Sequence, residues 1–257
     1  MCDSRGHPQK LDDVIEALTE IVRESKDEGS RVGFFAAMYK RVTVQVRAGV
    51  ETGFFEDGPR MERLATTFAS RYLTALDQFR IGDELSSCWD FAFQTATMWR
   101  PLVIQQLLMG VNAHINLDLG IAAAQISPPG GLADLRNDFV RINDLLAHQV
   151  ATVREEIGAV SPWIRLLDRI DPEAGRAIVN FSIERAREQA WTVAELLACL
   201  PADSWEGRIA VLDRNAVTVA RLVRDPPGWI LRAGLRLIRI RETGHIRRVI
   251  EMLDKPE

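Results

Sequence analysis

Residues 112–118 read Asn-Ala-His-Ile-Asn-Leu-Asp, and the types and spacing in that stretch are suited to acid–base chemistry. His114 and Asp118 stand four residues apart, which on a helix lets the carboxylate contact the imidazole, fix its tautomer and raise its basicity. Such a pair suits a general base. It suits equally two ligands of one metal ion, although a catalytic metal site takes about three protein ligands and this spacing supplies two. It also suits a buried pair that orders helix packing through its hydrogen bonds. One divalent metal ion and no cofactor at all both remain open.

At about 100° per residue, Gln105, Asn112 and Asn116 fall within about 40° of each other, with His114 and Asp118 roughly opposite, near Leu107 and Val111. The rest of the segment is apolar, so these side chains are expected to be buried, where an unpaired polar group costs about 1–3 kcal/mol. Asn112 and Asn116 are therefore candidate substrate-binding or supporting groups.

The elements that position these residues are helices. Apolar residues recur at helical spacing, and no period-two run bounded by turn residues calls for a sheet. The pattern predicts an all-α, single-domain bundle (1–257) of about eight to ten helices around a buried central hairpin, about 101–126 and 132–157. Helices are expected over about 11–26, 32–51, 59–79, a short segment after Ser86–Ser87, and, after Asp171-Pro172-Glu173, up to Leu200. Others follow over about 204–223, 228–241 and 245–253. Residues 226–257 form basic C-terminal helices packed on the body or extending from it.

Ser127-Pro128-Pro129-Gly130-Gly131 is the sharpest break, and the short connection predicts antiparallel neighbours. With the turn near residue 129, Asp118 lies level with about residue 140 and His114 with about 144. Asp138 and Asn143 flank the apolar face of the returning helix, so Asp138 joins His114 and Asp118 as a candidate catalytic residue and Asn143 as a supporting one. Asp144 and His148 point away and read as a solvated pair. Beyond Pro172, Glu184, Arg187 and Trp191 share one side of a helix, either as charge beside an aromatic pocket wall or as a partly exposed salt-bridge face. Glu242 and His245 have E-x-x-H spacing, but di-iron bundles need two such motifs and Gly244 disfavours a helical turn there.

With 47% hydrophobic and 26% charged residues, the chain is ordinary globular protein, not a disordered or fibrous one. Cys2, Cys88 and Cys199 are far apart and form neither a disulfide framework nor a zinc knuckle, which fits a reducing compartment. The N-terminal residues lack the order of an export signal, so a cytoplasmic location is expected. Residues 101–126 carry too much polarity for a lipid span. A net charge of -4 argues against nucleic acid as partner, yet residues 221–248 hold eight Arg against Asp225 and Glu242. Residues 228–248 combine Trp229, Leu237 and Ile240 with Arg232, Arg236 and Arg239, which suits either an anionic membrane surface or a surface helix snorkelling over an acidic body. Oligomeric state is not legible.

The run Leu107-Leu108-Met109-Gly110-Val111-Asn112-Ala113-His114-Ile115-Asn116-Leu117-Asp118-Leu119 resembles the signature of a bacterial family of unknown function with an N-A-H-I-N-x-D-L core. Further similarity lies in Tyr39 with Val42-Thr43, Phe68-Ala69 with Tyr72 and Ala75-Leu76, Asp138-Phe139 with Ile142-Asn143, and Arg187 with Ala190-Trp191. Val111 replaces the Met expected there, a change of similar volume. The resemblance supports the placement of the site and implies no chemistry.

Two functions from different classes follow. A small-molecule enzyme would use His114 as base or ligand, oriented by Asp118, and would need a pocket reaching the imidazole. A non-catalytic helical binding or scaffold protein would pack the same residues into a closed network.

Overall fold

The computed structural model describes residues 8–128, 130–145, 183–242 and 245–255, the side chains at 183, 184, 230 and 231 excepted. Within them the chain is all-α. Its helices are α1 (Leu11–Glu28), α2 (Val32–Glu51), α3 (Gly58–Ile81), α4 (Ser87–Thr97) and the central α5 (Val103–Ile126). A 3₁₀ turn (Leu132–Leu135) leads into α6 (136–145), and α7 (Ile183–Ala198), α8 (Trp205–Arg224), α9 (Trp229–Arg241) and α10 (Ile246–Leu253) follow. The expected return helix beyond residue 145, the Asp171-Pro172 helix start, His148 of the expected Asp144–His148 pair and the Glu184 side chain lie outside the described part, while Asp144 is exposed on α6 as expected.

Local chemistry explains most boundaries. Gly29 and Gly82 end α1 and α3 with φ of 66° and 74°, a left-handed conformation that favours glycine. Asp57 caps α3 by accepting the Arg60 N–H at 2.8 Å, with Pro59 in the first turn. Ser86 caps α4.

Three buried carboxylates hold helix starts at a distance. Asp138 accepts from the backbone N–H groups of Glu56 and Asp57 at 2.7 and 3.0 Å, just before α3. Asp213 accepts from Ser87 and Cys88 at 2.8 Å each, at the start of α4. Glu242 accepts from Val103 at 3.2 Å, at the start of α5. Each places negative charge where free N–H groups and the helix dipole favour it. Glu242 thus has an architectural role.

The central helix is long and apolar enough to cross a membrane, but 83% of its most apolar window is buried inside the protein, as befits a core helix. Small residues let its neighbours approach. A Cβ on Gly110 would meet the Phe35 ring of α2 at 2.5 Å, and one on Gly120 would meet the Ala190 carbonyl oxygen of α7 at 2.5 Å. The C-terminal helices pack on this body. Leu235 and Ile238 of α9 cover Leu102, with Ile104 and Leu108 alongside, while Lys26 and Lys40 both grip Asp254 after α10.

Candidate functional site

Across Ala113–Leu119 the backbone of α5 changes from α-helical to π-helical hydrogen bonding, returning to α at Gly120. This wider turn spans the polar signature, so the regular 100° spacing expected there does not hold. Turns of this kind are uncommon and concentrate at functional sites. His114 and Asp118 face α2, α3 and α4, whereas Asn112 reaches Ala216 of α8 and Cys88 of α4.

The His114 ring is 3% exposed and lies among aromatic rings. Phe68 stacks on it with 3.4 Å between centroids and 9° between planes, and Tyr39 meets it edge-on at 4.5 Å. Phe35, Trp89 and Tyr72 complete the enclosure at 5.7, 6.1 and 6.3 Å. Phe68 alone among these rings is partly exposed, so it forms the outer wall. Spacing explains the cage: Phe35 and Tyr39 on α2, and Phe68 and Tyr72 on α3, are i, i+4 pairs that each present one aromatic face.

His114 Nδ1 lies 3.6 Å from Asp118 Oδ2, too long for a hydrogen bond yet close enough for the carboxylate charge to act. Neither ring nitrogen, nor the Tyr72 hydroxyl, finds a hydrogen-bond partner among the described residues. Burial lowers the imidazole's pKa below 6.5, with Asp118 opposing and Arg71 assisting the shift, so the ring is neutral at physiological pH. Burial likewise holds the Tyr39 phenol well above its usual range, reinforced by Asp118.

Asp118 is 1% exposed and bonds to other partners than the imidazole. Its Oδ1 accepts from Arg71 Nε at 2.7 Å and its Oδ2 from Trp89 Nε1 at 2.8 Å. Hydrogen bonds of this kind to a carboxylate are short and strong. On the other side of α5, Asn112 donates to the Ala216 carbonyl at 2.9 Å and to Cys88 Sγ at 3.4 Å, and accepts from Asn116 at 2.9 Å. Asn112 thus ties α5 to α4 and α8, with Asn116 bonded to it from the next turn.

Asp138, expected to flank the apolar face of the return helix and join His114 and Asp118, instead spends its oxygens on the start of α3, including a 3.1 Å contact from Arg60 Nη2. The registry argument identified it as inward-facing but named the wrong neighbours. Asn143 and Arg187 do come together: Arg187 Nε donates to Asn143 Oδ1 at 2.7 Å and Nη2 to the Phe139 carbonyl at 2.6 Å. Arg187 also lies over the Phe139 ring at 4.5 Å, and burial pulls its guanidinium below the usual arginine range. It is 4% exposed, so α7 does not present it on a solvated face. Trp191 packs on Phe139 and donates to Glu195 at 2.7 Å. Arg187, Asn143 and Trp191 thus form a junction of α6 and α7.

No group of three His, Cys, Asp or Glu side chains suited to a metal ion occurs among the described residues. Both Asp118 oxygens are engaged, one by Arg71 and the other by Trp89. Arg71 and Trp89, which hold Asp118, were not singled out from sequence; the paired aromatics at 35/39 and 68/72 were the available signal.

The chain belongs to the family described as "Family of unknown function (DUF5995)", whose model matches residues 11–226. No curated protein and no solved structure matches it.

Proposed function

We propose that this protein is a non-catalytic helical binding or scaffold protein, with the His114–Asp118 segment as its packing centre. The observation that carries this reading is the enclosure of the imidazole: it is stacked, edge-packed and 3% exposed, with the orienting carboxylate turned to Arg71 and Trp89. An acid–base site needs its reacting nitrogen within about 3 Å of a substrate proton, and aromatic side chains take that space here. Free thiols at Cys88 and Cys199 support a reducing, cytoplasmic setting.

A second reading, a small-molecule enzyme, draws on two observations. Both imidazole nitrogens lack partners among the described residues, and the outer wall, Phe68, is partly exposed. Rotation of that single ring would then admit a guest.

Histidine acylation by diethyl pyrocarbonate, read by peptide mass spectrometry, separates the two. The scaffold reading expects His114 to stay unmodified in the folded protein and to react after Phe68→Ala or in denaturant. Rapid modification of His114 in the folded wild type would overturn it and favour the second reading.

A further inference from the structure

Helix α9 is apolar on two sides. Its inner side, Leu235 and Ile238, is buried against the start of α5. Its outer side carries Trp229, Leu237 and Ile240, which are 74%, 67% and 69% exposed. At helical spacing these three lie within about 80° of one another, and Arg232 and Arg236 border them. Surface helices ordinarily turn charged residues outward. Three large apolar side chains projecting from one solvent face call for a partner.

The neighbouring turn extends the surface. Met98 and Trp99, between α4 and α5, are 42% and 59% exposed. Arg239 joins the two elements: its Nε donates to the Trp99 carbonyl and its Nη1 contacts Glu242 at 3.2 Å. Arg239 is thereby held inward, while Arg232 and Arg236 are exposed and form no ion pair with a described residue.

We propose that the outer face of α9, with the Met98–Trp99 turn beside it, docks on an anionic lipid bilayer. Tryptophan and long aliphatic side chains enter the headgroup boundary, and arginines beside them meet lipid phosphates. Charge selects this occupant. Residues 221–248 carry eight Arg against two acids in a chain of net charge -4, and two of these, the exposed Arg232 and Arg236, border the projecting apolar side chains. A second copy docking through the same face would bring Arg232 and Arg236 against their like, which opposes a symmetric dimer. Nucleic acid would use the arginines and leave Leu237 and Ile240 without a partner. Helix α9 lies beyond the family-matched residues 11–226, whereas the Met98–Trp99 turn beside it lies within them.

The test is co-sedimentation of the full chain with phosphatidylcholine vesicles, plain or containing about 30% phosphatidylglycerol, with Trp229 fluorescence read alongside. Binding is expected only to the anionic vesicles, weakening at about 0.5 M salt. Arg232→Glu with Arg236→Glu should weaken it by about tenfold or more, and Trp229→Ser with Leu237→Ser should abolish it. Both variants change exposed positions and should keep the wild-type helical circular dichroism. No sedimentation with anionic vesicles, or binding indifferent to both variants, would overturn the proposal. So would light scattering that shows a dimer dispersed by the same substitutions, because that assigns the face to a second copy.

Discussion

The ring of Phe68 lies parallel to the imidazole of His114, 3.4 Å away between centroids, and it is the partly exposed member of the surrounding cage. A stacked ring covers a face of the imidazole and offers its edge nothing, so it excludes water without supplying a hydrogen bond. Asp118, at 3.6 Å from Nδ1, is held by Arg71 and Trp89 at the same time. The centre is thus a neutral imidazole packed as an aromatic beside a buried ion pair.

This arrangement dictates how stability responds to pH. Burial lowers the His114 pKa in the folded chain below the 6.5 of a free imidazole. As pH falls through 6.5, the unfolded chain takes up a proton that the folded chain refuses, so stability is intact above 6.5 and is lost below it. The slope is about 1.4 kcal/mol per pH unit for one proton. Urea unfolding of wild type and His114→Gln should therefore converge as pH drops from about 7 to 5.5, the wild type losing more. The imidazole proton resonance of His114 should also titrate below 6.5. Parallel stability curves, or an imidazole titrating near 6.5, would contradict the assignment.

Replacing Asp118 by Asn keeps the volume and removes the charge that Arg71 and Trp89 hold. Breaking a sealed ion pair costs about 3–5 kcal/mol. The Arg71 side chain is 26% exposed and water can take up part of its charge, so a loss near 2 kcal/mol is expected. The indole N–H resonance of Trp89 should shift as it loses a charged acceptor. A loss below about 0.5 kcal/mol would mean the pair adds nothing to folding.

Helix ends were legible in the sequence because they are local: Gly29, Asp57-Gly58-Pro59, Gly82 and Ser86 each act within a few residues. The polarity of the central helix was legible too, since asparagine, histidine and aspartate stand out among leucines and alanines. Partners were not. Arg71 and Trp89 reach Asp118 from α3 and α4 through tertiary packing, which no periodicity encodes. The wide turn at 113–119 escaped because a fixed angle per residue presumes the very geometry that changes there. Asp138 was misassigned for a related reason: register counted from the Pro-Gly turn ignores the 3₁₀ turn at Leu132–Leu135 and the pull of the α3 start.

That reassignment of Asp138 is directly measurable. Its two oxygens serve two backbone N–H groups and a guanidinium with no solvent exposure, so Asp138→Ala leaves buried donors unpaired. A loss of about 3 kcal/mol is expected in urea unfolding, along with faster amide exchange at Glu56 and Asp57. Exposed Asp144, also on α6, should tolerate the same change within about 0.5 kcal/mol. Equal effects at the two positions would remove the anchoring role.

Three glycines in two helices test the close approaches that frame the centre. At Gly120 an added methyl would lie 2.5 Å from a backbone oxygen of α7, a neighbour that can move only with its helix. Gly110 would press on the Phe35 ring, which can shift only by disturbing the wall of the His114 cage. Gly207, in the first turn of α8, has nothing within 4 Å. Alanine at 120 should therefore cost about 3 kcal/mol or more and at 110 about 1–3 kcal/mol. At 207 it should add up to about 1 kcal/mol through helix propensity. Thermal and urea unfolding of the three variants would show the order, and Gly120→Ala as stable as Gly207→Ala would mean that α5 and α7 do not cross at that residue.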